Sequence, residues 1–131
     1  MRLGSLILMD GYLLIDANAE VQTLEPEVEK LFFMQRNINW WLGDLINFGE
    51  ARWGDDIWQT IPEGASESML GRYVAHSRRI KPTDRVPGAS WTMHSICAKV
   101  EPTLRKALLN HGANEHMETE EFREYMKRMI G

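Results

Sequence analysis

The chain has little that would stabilise or anchor it from outside its own core. One cysteine, Cys97, stands alone in the sequence, so no internal disulfide framework exists and a reducing compartment suits it. Long apolar runs are missing too. Leu6–Met9 and Tyr12–Ile15 are short, and neither approaches the roughly 20 residues a membrane helix needs. The apolar stretch after Arg2 is broken by Asp10 and Gly11, with no small-residue cleavage pattern behind it. No signal peptide is therefore expected, and the expected location is the cytoplasm. There is no glycine-rich phosphate loop, no dinucleotide fingerprint, no internal repeat and no low-complexity tract.

What is present suits a single domain over residues 1–131, with 44% hydrophobic residues. The formal charge of −4 hides an uneven distribution. Residues 10–63 carry eleven acids against three bases (Lys30, Arg36 and Arg52). Residues 66–100 reverse the balance: Arg72, Arg78, Arg79, Lys81, Arg85 and Lys99 face only Glu67 and Asp84. Since a partner feels charge within a Debye length of about 10 Å, the local excess matters more than the net value.

The fold class predicted is mainly α, with a short β-hairpin at residues 5–16. Its strands are Leu6–Met9 and Tyr12–Ile15, joined by Asp10-Gly11 in a tight turn with positive backbone angles. Pro26, with Thr23 or Glu25 as cap, predicts the start of the longest helix, ending near Gly49. Its apolar stripe is Val28, Leu31, Phe32, Ile38, Trp41, Leu42, Leu45 and Phe48. Gly43 inside it costs about 1 kcal/mol relative to alanine, which points to close approach of another element. Shorter helices are expected over 55–61, over 66–80 with Ser66 as N-cap, over 90–100 after Ser90, from Pro102 to near Gly112, and after Thr119 as the cap of the last. Met69, Leu70, Tyr73, Val74 and Ser77 should face inward, and residues 81–89, with two prolines and a glycine, form a loop.

Helix, glycine-containing turn and helix over residues 55–80 is the pattern of a helix-turn-helix, and residues 90–130 would support it. On this reading Ser66, Ser68, Arg72, Tyr73 and His76 address DNA from the second helix. Arg78, Arg79, Lys81 and Arg85 neutralise phosphates at its end. An ordinary helical bundle with a solvated face accounts for the same periodicity. His94, Cys97, His111 and His116 are all zinc-compatible, but they spread over three helical segments, so no metal or other cofactor is expected. His94 reads better as a hydrogen-bonded residue between helices, and Cys97 as a small buried hydrophobe. Asp44, Glu50, Asp55 and Asp56 lack a paired base, and Ser90 with His94 lacks a third group to orient the histidine; no enzyme is expected.

One stretch carries a resemblance. Trp40-Trp41-Leu42-Gly43-Asp44-Leu45-Ile46-Asn47-Phe48-Gly49-Glu50, followed by Trp53-Gly54, resembles the LmbU-like family of bacterial transcriptional regulators and their phage and plasmid relatives. Gly64, Met69-Leu70, Tyr73, Arg78-Arg79 and Ser90-Trp91-Thr92-Met93-His94 match its later blocks more loosely. The order of elements is also similar to the DNA-binding domain of ParB/KorB-type partition proteins. The resemblance, over about residues 20 to 128, implies sequence-specific binding of double-stranded DNA, with residues 66–80 as recognition helix. A homodimer or higher oligomer on repeated half-sites would go with it. Arg72 stands where the family commonly has asparagine, Ala75 replaces an aromatic and Met93 the first of two histidines, so no operator follows. The alternative is a protein-binding module of phage or mobile-element type that engages a host protein through its acidic first half.

Overall fold

The computed structural model describes residues 1–130. The chain is mainly α-helical with a small antiparallel sheet at its start, as predicted. Where the composition suits a single domain, the packing gathers into two compact units, Met1–Asn37 and Ile38–Gly131.

In the first unit, β1 (Arg2–Leu3), β2 (Leu6–Met9) and β3 (Tyr12–Ile15) form a sheet in that order. The predicted hairpin is β2–β3, in register from Leu6 opposite Ile15 to Met9 opposite Tyr12. At its turn only Gly11 takes a positive φ (85°), not Asp10 as well. β1 is an addition to the predicted pair: two residues leave too short a period to read from sequence. The side chains of β3 are exposed along its length. Glu27, buried on the long helix, accepts the Ser5 N–H through Oε1 at 3.3 Å.

That helix, α1 (Val21–Trp53), starts five residues before Pro26. The Glu20 carbonyl accepts the N–H groups of Thr23 (3.0 Å) and Leu24 (3.1 Å), opening the helix without Thr23 or Glu25 as a cap. Proline lacks only its own N–H, and near a helix start that loss is easily tolerated.

In the second unit the buried side of α1 is Trp40, Gly43, Ile46 and Gly49. The predicted apolar stripe is therefore corrected: Leu45 is 57% and Phe48 56% exposed, and Ile38 and Trp41 are exposed as well. Glycine decides which face is covered. A Cβ on Gly43 would collide with the Ser77 side chain and the Tyr73 carbonyl, and one on Gly49 with the side chain of Ile57. Bare backbone admits these neighbours where a larger residue would hold them off.

Gly54–Thr60 is a 3-10 helix, tighter than the α-helix expected there, and it brings Ile57 against Ile46, Leu70 and Val74. α2 (Glu67–Arg79) follows, with Ser66 as N-cap: its Oγ accepts the Met69 N–H at 3.2 Å. Leu70, Val74 and Ser77 face inward as expected and Tyr73 is half-buried, but Met69 is exposed. The 81–89 loop contains a 3-10 turn, Pro82–Asp84.

α3 (Trp91–Ile96) opens on Ser90, whose Oγ accepts the Met93 N–H at 3.0 Å. It ends before the predicted Val100, and Cys97 closes it with its N–H on the Met93 carbonyl. α4 (Pro102–Asn114) begins on Glu101, whose carboxylate accepts the N–H groups of Thr103 (2.9 Å) and Leu104 (3.0 Å). α5 (Thr119–Ile130) includes Thr119 as a helical residue; the Glu118 carbonyl accepts the Phe122 N–H, so the chain turns in one position earlier than expected. Val86, Ala89, Met93, Cys97, Leu108, Leu109, Phe122 and Met126 form the core beneath α3, α4 and α5. Among the described residues no helix is long and apolar enough to cross a membrane.

Candidate nucleic-acid interface

The position of α2 is set by α1. Asn47 donates through Nδ2 to the Val74 carbonyl at 3.1 Å and accepts Arg78 Nη2 on its Oδ1 at 2.9 Å. Leu70 and Val74 seal the same contact with Ile46 and Ile57. One side of α2 is thus fixed, and Ser68, Arg72, Ala75 and Arg79 recur at helical spacing along its exposed side.

The nine residues predicted to address DNA fall into different environments. Ser66 is occupied as the cap, and its Oγ also lies 3.1 Å from that of Ser68. Ser68, Arg72, Arg79 and Lys81 are exposed, and among the described residues Arg72, Arg79 and Lys81 form no ion pair. Arg78 is exposed but shared with Glu50 at 3.6 Å, a surface pair of small energetic value. Tyr73 packs edge-on against Trp91, with ring centroids 5.4 Å apart.

Two expectations need correction. His76 does not project into solvent. Its ring stacks on Trp40 at 5.1 Å and meets Trp91 at 4.3 Å. Burial, reinforced by the nearby His94, Arg79, Arg85 and Arg105, pushes its pKa down to about 4. It is neutral at pH 7 and adds no charge for a phosphate. Arg85 is withdrawn further, its side chain 13% exposed. Its guanidinium grips Asp44 at 2.7 and 2.8 Å, donates to the carbonyls of Ile80 (2.9 Å) and Ser77 (3.1 Å), and lies 4.1 Å over the Trp40 ring. A guanidinium with its donors so engaged ties the 81–89 loop to α1 and α2 and leaves little for a phosphate.

Two of the four acidic residues without a predicted base have structural parts: Asp44 holds Arg85 and Glu50 holds Arg78. Asn47, which sequence reasoning passed over, fixes α2 to α1; a lone asparagine on a helix gives no signal of its own. His94 is hydrogen-bonded as expected, but its partners are the 81–89 loop and the cap of its own helix rather than a second helix. Nε2 accepts the Val86 N–H at 3.0 Å, Nδ1 donates to the Ser90 carbonyl at 2.8 Å, and burial lowers its pKa. Cys97 is buried with its thiol pushed up to about 11. Among the described residues no three His, Cys, Asp or Glu side chains come together to hold a metal.

Comparison with family models, with curated proteins and with solved structures found no match.

Proposed function

We propose that the protein binds double-stranded DNA sequence-specifically in the cytoplasm, as a transcriptional regulator or partition-type factor, with α2 as the helix that enters the major groove. The observation that carries this reading is the exposed side of α2, where Arg72 and Arg79 stand one above the other with no carboxylate partner among the described residues. Lys81 extends the cationic row past the helix end. Arg72 offers two parallel donors to guanine O6 and N7, with Ser68 beside it near the helix N-terminus; Arg79 and Lys81 hold phosphates. One helix reads a short half-site, so a homodimer on a palindrome completes the recognition unit. The resemblance to LmbU-like regulators points the same way.

The test is fluorescence anisotropy with mixed-sequence duplex across a salt series, beside an Arg72→Ala/Arg79→Ala variant whose fold is checked by circular dichroism. Each phosphate contact contributes about −0.9 to the slope of log K against log salt, and Arg79 is the phosphate contact removed, so the variant should flatten the slope by about 1. A folded wild-type chain that binds no duplex at low salt defeats the reading.

A second reading rests on the exposed Leu45, Phe48 and Trp53 of α1, apolar side chains within the acidic half of the chain. Apolar exposure of this kind suits a protein partner. Such a contact would persist in the Arg72→Ala/Arg79→Ala variant and fail in Leu45→Ser/Phe48→Ser.

A further inference from the structure

Beside the exposed row of α2 lies an open cleft of about 380 Å³, reached by residues of α1, α2 and α3. Its half-buried lining is aromatic: Tyr73 and His76 each stand at a steep angle to Trp91, at 85° and 70°. Its exposed lining sets Arg72 and Arg79 beside Met69 and Ala75. Arg72 and Arg79, seven residues apart on one helix, have Cα atoms about 10 Å apart along the axis, within convergent reach of two long side chains. Ser95 adds a hydroxyl.

These features belong together. A cleft of this size lies within the range of small-molecule sites, which combine apolar walls with a few convergent polar groups. Two cations with no carboxylate partner among the described residues leave a positive potential that only an anion neutralises. The aromatic walls favour a flat ring over an aliphatic chain, by stacking and edge-to-face contact.

We propose that this cleft binds a planar aromatic anion, a ring bearing a carboxylate or phosphate, with the ring against Trp91 and Tyr73 and the anionic group held by Arg72 and Arg79. The site does not depend on the DNA reading. Its consequence does: Arg72 and Arg79 would serve both ligands, so an occupied cleft would release DNA.

The experiment titrates the whole chain with naphthoate while following the Trp91 indole and His76 ring signals by NMR. Naphthalenemethanol and cyclohexanecarboxylate serve as the uncharged and the non-aromatic controls. Saturable shifts at Trp91 and His76 are expected, with affinity falling about tenfold or more in Arg72→Gln and in Arg79→Gln. Both controls should bind at least about tenfold more weakly. Because the arginines are exposed, their substitution leaves the fold intact, checked by unchanged core signals. Equal binding of either control overturns the proposal, as does the absence of saturation or a response confined to Phe48 and Trp53. Naphthoate should also displace bound duplex; if no duplex binds at all, the titration without DNA still decides the site.

Discussion

Replacing Arg85 separates a structural arginine from a DNA-contacting one. In Arg85→Met the Asp44 carboxylate loses both its hydrogen bonds from Arg85, the Ile80 and Ser77 carbonyls lose the donors at 2.9 and 3.1 Å, and Trp40 loses the cation over its face. Asp44 is 42% exposed, so water recovers part of its hydration, whereas the arginine sits in a nearly closed site. Methionine preserves much of the apolar packing of the stem. Hydrogen bonds from a charged donor and the unpaired groups left behind place the loss at about 2 to 4 kcal/mol. For a unit of this size that is a fall in Tm of roughly 10–25 °C. Urea denaturation followed by tryptophan fluorescence measures it, with Arg79→Met as the surface comparison, expected within about 0.5 kcal/mol of wild type. If Arg85→Met is as stable as Arg79→Met and instead loses DNA affinity, Arg85 is a phosphate contact and its buried role is refuted.

Other outcomes follow from the same packing. Gly43→Ala gains about 1 kcal/mol of helix propensity yet drives a methyl into Ser77 and the Tyr73 carbonyl, so a net loss of about 1 to 3 kcal/mol is expected; a stabilised variant would show that α1 and α2 do not meet there. His76 is held neutral in the folded chain, with a pKa lowered from 6.5 to about 4, and His94 shifts in the same direction. Between those values the unfolded chain binds more protons, so the stability present above pH 6.5 declines as the pH falls towards 4. His76→Gln should shrink that decline in urea midpoints measured across the window; an unchanged slope would place the effect elsewhere. Cys97, buried with its thiol near 11, should resist a thiol-disulfide reagent at neutral pH in the native state and react once urea unfolds the chain. Rapid native reaction would contradict the burial.

The features legible in sequence are those that a few neighbouring residues decide. Asp10-Gly11 between two apolar runs announced the hairpin, because the turn depends on the chain's own backbone angles. Ser66 and Ser90 announced helix starts, because a hydroxyl reaches an N–H three residues on whatever lies around it. Gly43 was a lasting clue to close approach, but it named no partner. The 3-10 geometry of Gly54–Thr60 and the early ends of α3 were not legible, since packing of Ile57 and Cys97 sets them.

The sequence by itself determined the helical class, the leading hairpin, the caps at Ser66 and Ser90 and the concentration of arginines near residues 72–85, since each depends on local backbone preference or composition. Only the tertiary structure decided which of those arginines are available. Arg85 and Arg78 find Asp44 and Glu50 at positions 41 and 28 residues away, while Arg72 and Arg79 find no acid among the described residues. The same holds for α1: apolar periodicity chose the side bearing Leu45 and Phe48, but the covered side is the one where Gly43 and Gly49 let other backbone and side chains come close. A residue without a side chain adds nothing to a hydrophobic pattern, yet it can decide where two helices touch.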